Sequence, residues 1–459
     1  MTECVHSLIF VASFDMKLLL PTEPAVRPPC YAPRRRSRRR TAPSMASLST
    51  HRPSLAGRPL RCAVLGAGFA GLSVAWHLLR HSPEELHLRI DIYDESGVGG
   101  GASGIAGGLL HPYSPKVKLL WQGAECWKEC LKLLKIAERV VDKRNSNSLN
   151  LELEWDLGDS IIRRRGILRP AMDAKHLDIL TNNAQNCLPF CKIESIDKDA
   201  AEALVPNIQV PFNSVFHMPE AVNIHPLCYL QALFLACQDL VEEMSTSNFG
   251  GKELYMRKKS IDRLCDFEGE YDAVIVCLGA KADLLPELSG RLPLRTCRGV
   301  IAHLQLPDNA GETYPDHSPS ILSDVWLAVQ GPRDILVGST WEWKSRNYSS
   351  DVSAEEASTA LEQLLPKASA IYPKIKDWSF VGAKAGIRAM PPLTSLGSLP
   401  VLGRIDDLMV GNHSCKYWFF GGLGARGLLY HGLLGKLMAQ AVLFNDETLL
   451  PVELTSWKR

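Results

Sequence analysis

The chain has 459 residues, of which 46% are hydrophobic and 22% are charged. This is the composition of a folded globular protein and not of a disordered or fibrous one, and the length is sufficient for two or three packed lobes. The formal net charge of +1 conceals an asymmetry, because residues 1–61 carry 11 Lys or Arg against 3 Asp or Glu, which leaves 40 against 47 for the rest. A mildly acidic body argues against a protein whose whole surface binds nucleic acid.

The N-terminal segment has the composition of a targeting sequence. It is rich in Arg, Ser, Pro and Ala, contains the run "RRRSRRR" at 34–40 and has no acidic residue between Glu23 and Glu84. These features predict an organelle transit peptide over residues 1–59, with the chloroplast as the destination and the mitochondrion as the alternative. A nuclear or nucleic-acid-binding tail and a disordered solubilising segment remain open as other interpretations.

The 13 cysteines predict reduced thiols and no metal site. No CxxC pair occurs, and the pairs Cys126/Cys130 and Cys187/Cys191 have the i, i+4 spacing of buried helix positions, although zinc ligands are the alternative. The longest apolar stretch, 427–444, contains a histidine and a lysine. We therefore expect no membrane-spanning helix and no membrane partner.

The stretch "LRCAVLGAGFAGLSVAWHLLRH" at 60–81 predicts a strand, a glycine-rich turn and a helix. In this context the first glycine permits the turn, the second lets the backbone approach a pyrophosphate, and the third lets the helix pack closely on the sheet. A second strand at 86–94 ends at an acid 23 positions after the third glycine, where a carboxylate accepts the ribose hydroxyls of a dinucleotide. The residues predicted to contact a cofactor here are Gly66, Gly68, Phe69, Ala70, Gly71, Asp94 and Glu95.

The next segment, "GVGGGASGIAGGLLHPY" at 97–113, contains seven glycines and predicts a loop that approaches a flat, polar ligand closely. Its "GASGIAGGLLHP" resembles the loop of the D-amino acid oxidase-like superfamily that runs along the pyrophosphate and ring of FAD. The resemblance implies that Ala102 and Ser103 lie at the diphosphate and that Gly107, Gly108 and Leu109 lie near the isoalloxazine ring.

Two later segments extend this resemblance. "YDAVIVCLGAKA" at 271–282 is similar to the strand that passes the adenosine side of the cofactor, which implies a contact from Gly279. "VGAKAGIRAMPPLTSLGSLPVLG" at 381–403 places Arg388 where the family's amino-acid and glycine oxidases hold the substrate carboxylate, a bidentate task that suits a guanidinium. A surface salt bridge is the alternative role for Arg388. No cysteine accompanies this motif, so we expect FAD to be bound non-covalently.

The segment "YWFFGGLGARGLLYHGLLGKLMAQAV" at 417–442 predicts a strand, a glycine turn and a helix whose positive end would face the flavin. It most closely resembles glycine oxidases and the FAD-dependent oxidase domain of bacterial enzymes that modify tRNA wobble uridines. No methyltransferase-like module is present, so the chain cannot complete that two-step chemistry. The cofactor contacts implied here are Gly422, Gly424, Ala425, Arg426, Gly427 and Leu428, and further polar candidates with either a structural or a catalytic role are His111, Tyr113 and His431.

The predicted architecture is α/β, with a discontinuous Rossmann-like FAD-binding domain and a second lobe built on an antiparallel sheet. The order of the motifs assigns residues 60–115, 216–282 and 386–459 to the FAD domain. Residues 116–215 and 283–385 then form the substrate lobe, because segments such as "DVWLAVQ" and "DILVGSTWEW" alternate like antiparallel strands.

The resemblance implies a plant-type organellar, FAD-dependent amine or amino-acid oxidase or dehydrogenase. The expected reaction is hydride transfer from the α-carbon of an amino acid or N-substituted glycine to flavin N5, followed by imine hydrolysis, with oxygen or another electron acceptor as the second substrate. A second hypothesis is oxidative removal of a carboxymethyl group from tRNA uridine, with "RRRG" at 163–166 as a candidate phosphate-binding patch. A third is a flavin-binding accessory protein without turnover.

Overall fold

A computed structural model describes residues 58–146, 161–245, 251–308, 314–411 and 413–458. The predicted transit peptide therefore lies almost entirely outside the described residues. All described residues belong to one unit, Gly57–Arg459, which is built on two large sheets.

The first sheet has six strands and grows from the glycine-rich pattern near the N-terminus. Its strand Leu60–Leu65 pairs in parallel with Leu88–Asp94 on one side and with Ala273–Val276 on the other. Both faces of this central strand are covered, which is why its residues are continuously apolar from its third position onward. In spatial order the strands are Val401–Arg404, Lys416–Gly421, Ala273–Val276, Leu60–Leu65, Leu88–Asp94 and Lys252–Lys258, and only the first runs antiparallel to its neighbour.

Four long helices cover one face of the six-stranded sheet. They share one large apolar core with the strands, because each helix directs its aliphatic and aromatic side chains toward the sheet or toward a neighbouring helix. These helices are Phe69–His81, Gly123–Ser146, Pro226–Ser245 and Gly427–Phe444.

The second sheet has nine strands and is mostly antiparallel. Its longest pair is Arg295–Gln305 with Ser379–Met390, and a separate apolar core joins the sheet to helix Ala354–Ile371. The other strands are Ile167–Pro170, Glu194–Ile196, Val215–Met218, Ser320–Leu322, Trp326–Gly331, Asp334–Gly338 and Glu342–Trp343. The predicted α/β class is confirmed.

Short elements complete the described part of the chain. The remaining strands form a three-stranded sheet and a hairpin, and the remaining α-helices are short or peripheral. They are strands Leu109–Leu110, Ile162–Arg163, Val222–Ile224, Leu393–Thr394 and Gly397–Ser398, and helices Ala102–Ile105, Ala174–Ala184, Lys198–Leu204 and Val452–Thr455.

Two predicted lobe boundaries fall inside strands. Position 216 lies within Val215–Met218 and position 386 within Ser379–Met390, and both strands belong to the nine-stranded sheet. The motif around Arg388 therefore stands on the second sheet, because a single long strand runs through it. The assignment of the remaining segments to lobes stays a prediction.

Helix Gly427–Phe444 is long and apolar enough to span a membrane, and it is the one such helix in the described ranges. However, 61% of it is buried inside the protein, where it packs on two other helices of the core. Cys126 and Cys130 lie buried on helix Gly123–Ser146, as their spacing predicts, whereas Cys187 and Cys191 follow helix Ala174–Ala184 in a loop, so the helical interpretation of that pair is wrong.

The turn between strand Leu60–Leu65 and helix Phe69–His81 depends on two glycines. Gly66 has a φ of +109°, a conformation that favours glycine. A Cβ atom on Gly71 would lie 1.8 Å from the carbonyl oxygen of Gly66, a backbone atom that cannot move without shifting the turn. The third glycine of the motif therefore lets the helix lie directly on the end of the strand.

We expect Gly71→Ala to destabilise the protein by about 1–3 kcal/mol, because the added methyl group overpacks this backbone contact. The free energy of unfolding from urea titration measures the effect. Gly382→Ala is the matched control, since no atom lies within 4 Å of the Cβ position of Gly382. Equal stability of the two variants would contradict the contact.

Burial of His77 makes the helix packing sensitive to acid. Its ring lies between helices Phe69–His81 and Gly427–Phe444, where Nε2 is 3.1 Å from the carbonyl oxygen of Gly432. Burial first, and then the neighbouring His81, lowers the pKa of His77 to about 3. The folded state therefore holds His77 neutral at pH values where the unfolded chain binds a proton.

The contribution of neutral His77 to the free energy of unfolding is fully present above the unfolded pKa of about 6.5. It is lost as the pH falls toward the pKa of His77 in the folded state. Between those two pKa values, each unit of decrease in pH should lower the free energy of unfolding by about 1.4 kcal/mol. Urea titrations at pH 7, 6 and 5 should give a shallower pH dependence for His77→Gln than for the wild type. Identical slopes would show that His77 does not titrate in this way.

Candidate functional site

A cavity of about 770 Å³ lies between the carboxyl edge of the six-stranded sheet and the nine-stranded sheet. Loops that follow five strands of the first sheet line one side, which is where ligands bind in open α/β sheets. Of the residues predicted to contact the cofactor or the substrate carboxylate, Gly71 is the one outside the lining, because it packs on the turn. Those that line the cavity are Gly66, Gly68, Phe69, Ala70, Asp94, Glu95, Ala102, Ser103, Gly107, Gly108, Leu109, Gly279, Arg388, Gly422, Gly424, Ala425, Arg426, Gly427 and Leu428.

The start of helix Phe69–His81 presents a positive dipole end to the cavity. Gly68 precedes it without a side-chain cap, and its first turn contains no acidic residue. Ser103 Oγ accepts the Phe69 N–H at 3.2 Å, and Asp94 Oδ2 accepts the Ala67 N–H at 2.9 Å. The remaining N–H groups of this turn are therefore suited to a phosphate.

An ion pair spans the cavity beside Asp94. The carboxylate of Glu95 pairs with Lys281, which belongs to the turn Gly279–Leu284 that follows strand Ala273–Val276. Asp94 Oδ1 also accepts the Ser96 N–H at 3.0 Å, so its carboxylate is fixed at the end of its strand while each oxygen retains acceptor capacity. This arrangement is compatible with the predicted ribose contact of Asp94.

Near the other end of the lining, two glycines are in tight contact with their surroundings. A Cβ atom on Gly107 would lie 2.6 Å from Cη2 of Trp326, and one on Gly108 would lie 1.9 Å from the carbonyl oxygen of Ile224. Gly108 also has a φ of +76°. The glycine loop therefore lies directly against the indole of Trp326, which forms part of the cavity wall.

Arg388 projects into the cavity from strand Ser379–Met390. Its Nη1 donates to Ser339 Oγ at 3.1 Å, its Nη2 donates to the carbonyl oxygen of Thr340 at 2.9 Å, and its Cζ lies 4.0 Å from the ring centre of Trp341. Burial lowers the pKa of Arg388, but guanidinium groups remain charged in proteins. Among the described residues no carboxylate pairs with it, so this cation is oriented and available for an anionic ligand.

Arg426 is a second cation of the lining. It directly precedes helix Gly427–Phe444, which has no side-chain cap and no acid in its first turn. Burial lowers the pKa of Arg426, and within the described ranges its guanidinium forms no hydrogen bond or ion pair. A half-buried cation without a partner favours a negatively charged ligand at this helix start.

His111 lines the cavity as a neutral donor. Its Nδ1 accepts the Tyr113 N–H at 3.3 Å, so the single proton of the neutral ring is on Nε2. Burial, followed by the charges of Arg426 and Arg169, lowers the pKa of His111 to about 3. The ring therefore stays uncharged near neutral pH and can donate one hydrogen bond.

The other two polar candidates lie outside the cavity lining. The Tyr113 hydroxyl accepts the Leu188 N–H at 2.8 Å within the core. His431 is fully buried, with Nε2 2.7 Å from the Tyr229 hydroxyl and Nδ1 2.8 Å from the carbonyl oxygen of Leu428. Their contacts are structural, and those of His431 hold the start of helix Gly427–Phe444.

Sequence reasoning did not identify several residues that line the same cavity. They come from the nine-stranded sheet and its loops, where no motif distinguishes them from ordinary aromatic or basic strand residues. They include Arg169, Trp326, Ser339, Trp341 and Tyr348. Only the alternating pattern of "DVWLAVQ" and "DILVGSTWEW" indicates that some of these side chains share one face.

The lining fits FAD. Two uncapped helix starts face the cavity, the glycine loop allows backbone approach along one wall, and a guanidinium without a partner lies at the second helix start. These are the features that bind diphosphates and other electron-rich groups. The residues that would hold the cofactor are those of the Gly66–Ala70 turn, the Ala102–Leu109 loop and the Gly422–Leu428 turn.

Solved structures with the same fold cover most of this chain. The iminodiacetate oxidase IdaA of Chelativorans sp. superimposes with a TM-score of 0.61 and 19% identity, covering 86% of this chain and 98% of that one. Glycine oxidase of Geobacillus kaustophilus gives a TM-score of 0.60 and 18% identity, with coverage of 86% and 98%. At these identities the likeness concerns the fold.

Sequence comparison shows the family. A Rhizobium etli protein named as a thiamine biosynthesis oxidoreductase, ThiO, is 24% identical over 349 residues, which cover 72% of this chain and 85% of that protein. The model of the DAO family, described as FAD dependent oxidoreductase, matches residues 61–441. The chain belongs to this family of FAD-dependent oxidoreductases, and FAD is its cofactor.

Proposed function

We propose that this enzyme oxidises the C–N bond of an amino acid or an N-substituted glycine. One observation carries the proposal, namely that the Arg388 guanidinium is held in the cavity wall with no carboxylate of the described residues paired to it. The names of the iminodiacetate oxidase and glycine oxidase that share the fold point to the same class of substrate. When bound, FAD supplies a hydride acceptor at flavin N5.

Arg388 would bind the substrate carboxylate and thereby fix the position of the α-carbon. Its contacts with Ser339, Thr340 and Trp341 pre-organise the guanidinium, so little conformational entropy is lost when the carboxylate binds. The reacting α-carbon loses its hydride, the nitrogen lone pair forms the C=N bond, and water then hydrolyses the iminium product to a carbonyl compound and an amine. A neutral His111 adds no positive charge to repel that cationic product.

The basic run at 163–166 does not support the tRNA hypothesis. Arg163 is buried and donates to Gln330 Oε1 at 3.2 Å, while Arg164 donates to both carboxylate oxygens of Glu138 at 2.6 and 2.8 Å. Arg165 lies 3.8 Å from a carboxylate oxygen of Asp316. These partners largely neutralise the run, so it does not offer a free phosphate-binding patch.

Anaerobic addition of glycine, sarcosine, iminodiacetate and D- and L-amino acids should identify a substrate that bleaches the oxidised flavin band. We expect Arg388→Ala to lower the second-order rate of bleaching about 100-fold while FAD stays bound, because a charge-assisted contact is worth about 1.5–3 kcal/mol. Arg388→Lys keeps the positive charge but loses the paired N–H donors of the guanidinium, so its rate of bleaching should lie between those of the wild type and Arg388→Ala.

Two outcomes would contradict this proposal. A bound flavin that none of these amines reduces would favour the accessory-protein hypothesis. Unchanged bleaching by Arg388→Ala would show that the carboxylate binds elsewhere.

Arg426→Met should raise the dissociation constant for FAD about tenfold or more, because it removes the unpaired cation at the helix start while keeping a long apolar side chain. Flavin fluorescence during dilution or dialysis measures the release. Arg80→Met, at an exposed position outside the cavity lining, is the control and should retain FAD like the wild type. Equal retention by both variants would exclude Arg426 from the cofactor contacts.

A further inference from the structure

A second cleft, of about 680 Å³, adjoins the cofactor cavity. The two share the lining residues Ala280, Leu284, Tyr348 and Ala389, so a ligand could extend from one into the other. Three cationic side chains line the second cleft, and none of the cofactor motifs contains them. They are Arg295, Lys344 and Arg346.

The cleft has an excess of positive charge. Asp283 is the one carboxylate in its lining, and the Oδ1 of Asp283 accepts the Gly290 N–H at 2.9 Å. Within the described ranges, none of the three cations forms an ion pair with a carboxylate. Glu342 is exposed on the neighbouring strand but does not line the cleft. The single carboxylate of Asp283 therefore leaves the cleft with an excess of positive charge.

The backbone that carries these cations is braced by buried contacts. Arg298 is only 1% exposed, and its guanidinium donates to the carbonyl oxygens of Asn347 and Asp351 at 3.0 Å each. The Lys344 N–H donates to the carbonyl oxygen of Thr296 at 2.9 Å. The segment from 344 to 351 is thus fixed to the strand that carries Arg295, so the cations do not sit on an independent loop.

A column of stacked groups connects the cleft with Arg388. Arg388 and Trp343 both lie opposite Cys297 in the register of the sheet, which places their side chains on one face. Along this face the Arg388 Cζ lies 4.0 Å from the ring centre of Trp341, the rings of Trp341 and Trp343 are 5.9 Å apart, and the Arg295 Cζ lies 5.0 Å from the ring centre of Trp343. The two arginines therefore stand at opposite ends of one rigid wall.

The tryptophans of this wall are unusually open to solvent. Trp341 is 49% exposed and Trp343 is 46% exposed, although both rings are held in the stack. Exposed aromatic surface of this size beside unpaired cations is typical of a binding surface. A ligand that bridges the cavity and the cleft would cover part of it.

We infer that Arg295, Lys344 and Arg346 form a phosphate-binding subsite for a substrate whose amino-acid end lies in the cavity with its carboxylate on Arg388. A phosphate monoester carries about −1.5 to −2 charges and three acceptor oxygens, which match three cations in one cleft lining better than a single carboxylate does. The substrate class is then a phosphate-bearing amine, longer than glycine or sarcosine. This inference rests on the proposed function for the position of the amine, whereas the phosphate contact itself does not.

Two sources share this chemistry, a small phosphate ester and the phosphodiester of a nucleic acid strand. Calorimetric titration of the FAD-loaded protein with inorganic phosphate, uridine monophosphate and a ten-residue single-stranded oligoribonucleotide separates them. The loaded protein is used because FAD then occupies the cavity that would otherwise accept phosphate. A nucleic acid strand is the source if the affinity for the oligoribonucleotide is at least tenfold above that for the mononucleotide and depends more steeply on salt. Comparable affinities for the two probes would identify a small phosphate ester as the source.

The test variant is Arg295→Gln combined with Lys344→Gln and Arg346→Gln, and it should lose at least tenfold in affinity for every phosphate probe that binds the wild type. The control carries Lys175→Gln, Lys198→Gln and Lys367→Gln, which change the net charge equally at exposed positions outside both cavities. The control should bind like the wild type. Equal binding by the test variant and the wild type, or no binding of any probe to the wild type, would overturn the subsite.

Arg388→Ala separates the two proposals. It should retain phosphate binding, because Arg388 does not line the cleft. If no amine bleaches the flavin but the cleft variant still loses phosphate binding, the subsite stands and the amine oxidation fails. If amines bleach the flavin but the cleft variant binds phosphate normally, the amine oxidation stands and the phosphate subsite fails.

Discussion

The contact between the Gly71 backbone and the carbonyl oxygen of Gly66 determines where the rest of the site can lie. It allows helix Phe69–His81 to begin at the very end of its strand, so the positive end of the helix faces the cavity. The same helix then interlocks with helix Gly427–Phe444, because the Ser73 hydroxyl donates to the carbonyl oxygen of His431 at 2.7 Å. The starts of the two helices at the cavity are therefore positioned by two contacts, one between Gly71 and Gly66 and one between Ser73 and His431.

The two sheets supply different kinds of contact. The six-stranded sheet contributes strand ends, glycine turns and helix starts, which present backbone groups to a long cofactor. The nine-stranded sheet and its loops contribute side chains, among which Arg388 is held by sheet register and stacks on the exposed tryptophans. The glycine turns and the Arg388 wall of the cavity therefore come from different sheets.

The parts of the site that could be predicted from the sequence are those encoded locally. The turn at Gly66–Gly71, the acid at Asp94 and the loop at 97–113 depend on short-range backbone requirements, which leave a pattern in consecutive residues. Arg388 was located through its motif, although the lobe boundary at 386 divides the strand that carries it.

Trp326 and Arg295 could not be predicted in this way. Arg295 becomes a cleft residue through pairing with the distant strand Ser379–Met390, and Trp326 becomes a cavity residue through its contact with the distant Gly107; neither has a distinctive neighbour in sequence. Tyr113 and His431 show the opposite case, because they lie next to predicted cofactor loops but point into the core, where their hydrogen bonds are satisfied. Proximity along the chain locates a loop but does not determine the direction of a side chain.

The indole of Trp326 lies between two glycines from different parts of the chain. A Cβ atom on Gly107 would approach it to 2.6 Å, and one on Gly338 would approach it to 2.3 Å. The side chains at positions 107, 326 and 338 therefore share one fixed volume, so atoms added at one position must be removed at another. A larger residue at either glycine would therefore require a smaller one in place of the tryptophan, and such a paired exchange would reshape the cavity wall where the glycine loop meets the nine-stranded sheet.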